Sequence, residues 1–69
     1  MKIRMSTHAQ IRSMERGIDV DKIKWVIREP DRSENQFEGR VKSVKMIEGR
    51  NITVVYTKSS NVFVIITAI

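Results

Sequence analysis

A single proline, Pro30, divides this chain into two stretches of different pattern. Residues 1–29 carry helix-like spacings and residues 31–69 carry strand-like ones. Proline disfavours helical geometry in the residue before it, so a helix approaching it must stop near Glu29. Helices followed by a run of strands predict an α+β domain. No repeat, low-complexity tract or linker interrupts the 69 residues, which read as one domain, 1–69.

Before Pro30, the spacing predicts two helices. Thr7-His8-Ala9-Gln10 has the form of a capping box, which starts the first helix at Thr7. Gly17 ends it, where a left-handed residue is easiest. Ile11, Met14 and Ile18 fall on one stripe and are the expected buried face. Asp19 is the expected N-cap of the second helix. Ile18 and Ile23 sit at its hydrophobic-staple positions. Val20, Ile23, Val26 and Ile27 form its apolar face, with Trp25 off the stripe at an edge.

After Pro30, turn residues separate four expected strands at about 32–37, 40–48, 51–58 and 62–68. Glu38-Gly39 and Ser59-Ser60-Asn61 mark two turns. Gly49-Arg50 fits the Gly-X loop of a type II′ hairpin. The expected architecture is two N-terminal helices on one face of a three- to four-stranded antiparallel meander. Val62-Phe63-Val64-Ile65-Ile66 is apolar at every position, which suits a strand covered on both sides. The helices would cover one side and a second copy, as a homodimer, the other.

A domain of this size buries only about 60% of its unfolded surface, so its core is small. The chain has no cysteine and one histidine, which excludes disulfides, thiolate zinc and multi-histidine metal sites. The longest apolar run is far short of the roughly 20 residues of a membrane helix. The first residues, Met1-Lys2-Ile3-Arg4-Met5, lack the apolar core of a signal peptide. A cytoplasmic protein without membrane contact is expected. Thirteen Lys and Arg against eight Asp and Glu give +5. That excess favours RNA, DNA or an acidic protein as partner.

His8, Arg12 and Arg16 follow i, i+4, i+8 and share a second face of the first helix. His8 is the one side chain whose ordinary pKa lies near neutrality. In the first turn, the helix dipole favours the neutral imidazole, a usable base. The same position equally suits an exposed histidine of a capping turn. Arg12 and Arg16, one turn apart, make a fork for phosphate oxygens or a solvated helix face. Arg40, Lys42, Lys45 and Arg50 form a second basic cluster, suited to nucleic-acid contact or to charging an exposed strand. Asp19 and Asp21 suit helix capping better than metal binding. No phosphate-cradling glycine loop, nucleophile elbow or zinc motif occurs, and no cofactor is implied. With so few metal ligands, phosphodiester chemistry is most accessible on RNA, whose 2′-OH is an internal nucleophile.

The segment Ser6-Thr7-His8-Ala9-Gln10-Ile11-Arg12-Ser13-Met14-Glu15-Arg16-Gly17-Ile18 resembles the opening of a family of small bacterial proteins, domain of unknown function 4258. Its pattern is Ser-x-His-Ala-x-x-Arg-x-x-x-Arg-Gly-Ile. The likeness continues in Ile27-Arg28-Glu29-Pro30-Asp31, Gly39-Arg40, Asn51 to Tyr56, and Val64-Ile65-Ile66-Thr67. The resemblance implies a layout similar to RelE-type and BrnT-type toxins. It implies a small metal-independent ribonuclease, with a cognate antitoxin as partner. His8, Arg12, Arg16 and Thr67 would be its catalytic residues, with Tyr56 a lesser member. Arg12, Arg16, Arg40, Lys42 and Lys45 would contact the RNA. The alternative carried with it is a basic nucleic-acid-binding or protein-interaction module without catalysis.

Overall fold

A computed structural model describes residues 1–69. In chain order the elements are β1 (Lys2–Met5), α1 (Thr7–Glu15), α2 (Val20–Arg28) and β2 (Arg32–Asn35). A single 3-10 turn, Phe37–Gly39, leads to β3 (Val41–Ile47), β4 (Arg50–Ser59) and β5 (Val62–Ala68). The α+β class and the two helices are as the sequence predicts. No helix is long and apolar enough to cross a membrane.

The sheet corrects the expectation of a three- to four-stranded antiparallel meander. It has five strands in the order β1-β5-β4-β3-β2. β2 to β5 pair antiparallel, but β1 pairs parallel to β5, so the sheet is mixed. β1 is four residues long and lies about sixty positions from its partner, with Lys2 opposite Val62. A strand this short, held by so distant a pairing, leaves little local signal.

The N-cap of α1 lies one residue earlier than expected. Ser6, in extended conformation, is the N-cap, and its hydroxyl accepts the Ala9 N–H at 3.0 Å. Gln10 does not close a capping box on Thr7. Its side-chain amide instead donates to the Met5 carbonyl at 3.2 Å. At the other end, Gly17 has φ +69. Ile18 N–H donates to Ser13 carbonyl and Gly17 N–H to Met14 carbonyl. These two bonds make a Schellman motif, which satisfies carbonyls that the helix leaves open.

The buried face of α1 is also not the expected stripe. Ile11 and Met14 are 51% and 76% exposed, while Ala9 and Ser13 are buried. Small residues let the helix lie close to β5, while the larger Ile11 and Met14 point away from that contact. Ser13 keeps its hydroxyl satisfied by donating to Gln10 carbonyl at 3.0 Å. Ile18, just past the helix, does enter the core.

Helix α2 follows the sequence closely. Asp19 caps it, accepting the Lys22 N–H at 2.9 Å. Ile23, Val26 and Ile27 are buried, and they join Ile18, Ile47, Ile52, Val54, Ile65 and Ala68 in one core. Val20 stays exposed. Trp25 is partly exposed at the edge, with the Lys45 ammonium 5.1 Å from its ring centre.

The β3–β4 turn is shifted one residue from the expected Gly49-Arg50. Ile47 pairs with Arg50, and the central residues Glu48 and Gly49 both have positive φ. That is the signature of a type I′ hairpin rather than type II′. Between β4 and β5 the register breaks. Val55 pairs with Thr67 and Tyr56 with Ile65, leaving Ile66 as the extra residue of a bulge.

Candidate nucleic-acid interface

The helix-covered side of the sheet can be read from its pairs. Ile52, Val54, Ile65 and Ala68 are in the core, so their alternating neighbours face the other way. That second side has no helix on it. Across it runs a row of paired residues, Glu34, Lys42, Val55 and Thr67, one from each of β2 to β5.

His8, Arg12 and Arg16 are all exposed, on or at the end of α1. Successive members lie one helical turn apart along a flank about 80° wide. Gln10 and Met14, on the opposite flank, approach β1. The His8–Arg12–Arg16 flank therefore looks away from β1. None of the three makes an ion pair. The backbone that carries them is anchored at both ends, by the Ser6 cap and the Schellman motif. Two further cations hold the C-terminal end: Arg50 donates to Arg16 carbonyl, and Lys22 donates to Gly17 carbonyl at 3.3 Å. Cations there complement the negative end of the helix dipole.

Thr67, expected to join this group, is on the other side of the sheet. Its pairing with Val55 puts it on the uncovered face, beside Lys42 across one intervening strand, roughly 10 Å away. The bulge at Ile66 is the cause. Without it, Thr67 would share a face with Ile65; with it, Ala68 takes the core position instead. Tyr56 lies on the helix-covered side, partly buried, with its ring 5.5 Å from Phe63 in an edge-on contact.

The second basic cluster is dispersed and partnered. Arg40 lies 3.9 Å from Glu38, and Lys42 lies 4.0 Å from Glu34 on the uncovered face. Lys45 points to the helix side, as alternation from Lys42 implies. Its side chain is only 15% exposed. It donates to Glu29 carbonyl at 2.8 Å, at the end of α2, and lies 3.6 Å from the Asp31 carboxylate. Lys45 thus holds the Pro30 corner closed and does not stand free for a phosphate.

Asp31 works with it. Met46 N–H donates to its carboxylate at 2.8 Å, and this bond, with the Lys45 charge, holds its pKa below the ordinary value. A depressed carboxylate contributes stability above its unfolded pKa and loses it as pH falls through the folded value. Asp31→Asn should therefore be less stable than the parent at pH 7 in urea unfolding. The gap should narrow as pH falls below about 4. A constant gap across that range would remove the ionic role.

One cation on the helix side escaped the sequence pattern. Lys58 pairs with Phe63, and its ammonium lies 5.5 Å from the Phe63 ring centre. Its spacing of two from Tyr56 was the available signal, because residues i and i+2 of a strand share a face.

No three His, Cys, Asp or Glu side chains cluster in a way that could hold a metal ion. What the α1 flank offers is cationic hydrogen-bond donors and an imidazole on a rigid helix. That arrangement can hold phosphate oxygens and exchange a proton beside them.

No curated protein and no solved structure matches the chain. A family model, Domain of unknown function (DUF4258), matches residues 5–69, from the end of β1 to the last residue. The match takes in α1 with His8, Arg12 and Arg16, and the chain belongs to the DUF4258 family.

Proposed function

We propose that the protein binds RNA through the His8–Arg12–Arg16 flank of α1, by phosphate contacts without sequence reading. The observation that carries this is the contrast between the two basic clusters. Arg40, Lys42 and Lys45 each have a carboxylate within 4.0 Å and Arg50 is bonded to the Arg16 carbonyl, whereas the Arg12 and Arg16 side chains have no such partner. Unpaired guanidinium groups are available for a phosphate at no cost in lost ion pairs. Base reading has little support. Tyr56 and Phe63 pack against the core and are not free to stack on bases.

Fluorescence anisotropy with a labelled single-stranded RNA tests this. Arg12→Ala and Arg16→Ala should each weaken binding by about 1 kcal/mol. Each should also lower the salt slope by about 0.7, the loss of one phosphate contact to a single strand. Lys45→Ala should change stability more than binding. Unchanged affinity and slope in the Arg12, Arg16 double variant would sink the proposal.

A second reading, a metal-independent ribonuclease, is supported by the exposed His8 one turn from Arg12. A phosphate held by Arg12 would place the neighbouring 2′-OH near the imidazole. His8 would take the 2′-OH proton as the oxygen attacks phosphorus. The 5′-oxygen would leave with a proton from water, giving a 2′,3′-cyclic phosphate. Arg12 and Arg16 would stabilise the charge gathering on the phosphoryl oxygens. Thr67, on the uncovered face, has no part in this scheme.

A further inference from the structure

Strand β1 pairs only with β5, so its outer side is a free edge of the sheet. Its four residues alternate cleanly. Ile3 and Met5 face the helix side and pack against the core, while Lys2 and Arg4 fall on the uncovered face. Beside this edge, between β1, α1 and the start of α2, lies a groove of about 360 Å³. Ile3, Met5, Met14, Ile18 and Val20 line it, with Gln10, Ser13 and Asp19 as polar members. Met14 and Val20 are 76% and 45% exposed, so nothing in the chain fills it.

We propose that the β1 edge and this groove bind an extended protein segment that alternates acidic and apolar residues, adding it to the sheet as a sixth strand. A strand laid along β1 sends alternate side chains to opposite faces. On the helix side its apolar residues enter the groove. On the uncovered side its carboxylates meet Lys2 and Arg4. Neither cation has a partner within the chain.

Charge selects this occupant over a second copy. Two β1 strands paired edge to edge would bring Lys2 and Arg4 of each against those of the other, and like charges across a strand pair repel. A homodimer formed through this edge is therefore disfavoured. The opposite edge, β2, is a poorer acceptor. Arg32, Ser33, Glu34 and Asn35 carry mixed charge and no apolar side chain.

The test uses fluorescein-labelled peptides of alternating Glu and Val, and of alternating Lys and Val, with the full chain. The Glu–Val peptide should bind and the Lys–Val peptide should not. Met14→Glu, at an exposed position, should weaken the Glu–Val peptide by about tenfold. The Lys2→Glu, Arg4→Glu double variant should weaken it similarly and acquire binding of the Lys–Val peptide. Arg12→Ala with Arg16→Ala, which tests the RNA flank, should leave the peptide unaffected. Failure of RNA binding would therefore not touch this inference. Three results would overturn it: no binding of the Glu–Val peptide, binding indifferent to Met14→Glu and to charge reversal, or loss of binding in the Arg12, Arg16 variant.

Discussion

Ile23→Ala should destabilise the fold more than any substitution at an exposed position. Ile23 is fully buried at the centre of α2, in a core of only nine buried residues. Truncating a buried isoleucine to alanine costs about 2–5 kcal/mol, because the lost methylenes leave a cavity. A domain of this length has roughly 3–10 kcal/mol of stability in total. The loss is thus from about a fifth of the total to nearly all of it. At about 4–8 °C per kcal/mol, the melting temperature should fall by at least about 8 °C. Met14→Ala is the control, since that side chain is mostly exposed and should change stability by less than about 0.5 kcal/mol. Urea unfolding followed by circular dichroism measures both. A Met14 variant as damaged as the Ile23 variant would mean that α1 packs on the stripe its sequence suggests.

That comparison isolates what the sequence conveys and what it does not. Asp19, Gly17 and Pro30 act through local backbone chemistry: a side-chain acceptor, a left-handed residue and a ring that excludes helix. Their effects lie within a few residues, so the helix boundaries they mark were legible. The docking face of α1 is not a local property. Ile11 and Met14 are more apolar than Ala9 and Ser13, but depth is set by how close a helix can come to β5, and small residues come closest. β1 needs a partner about sixty positions away, and no nearby residue announces it.

The site divides along the same line. His8, Arg12 and Arg16 share a flank because helical period alone puts them there, so their grouping was readable. Thr67 depends on a bulge. One extra residue at Ile66 inverts the face of every position after it, and the pairing that creates it involves Val55 and Tyr56 on another strand. Lys45 fails as a surface contact for a related reason. Its role comes from Glu29 and Asp31, which the Pro30 corner brings to it.

If the protein cleaves RNA, the effect of His8→Ala should exceed that of any other single exposed substitution. Removing a general base costs about 10²-fold or more in rate. Binding should be nearly unchanged, because Arg12 and Arg16 hold the phosphate. Arg12→Ala should lose rate beyond its loss of affinity, since its charge matters most as the phosphoryl oxygens become more negative. Thr67→Val should leave the rate within about twofold, because it lies across the sheet from His8 and a surface change there has no route to the reacting atoms. Cleavage should persist in EDTA, since one histidine and no cysteine supply no strong metal site. The products should end in a 2′,3′-cyclic phosphate. The assay compares parent, His8→Ala and Thr67→Val on total RNA, with and without ribosomes, beside binding measured on the same preparations. Equal cleavage by parent and His8→Ala would assign the chemistry to another group or to a contaminant. A parent that binds RNA in both conditions and cuts it in neither would leave the α1 flank as a binding surface, with the imidazole taking no part in chemistry.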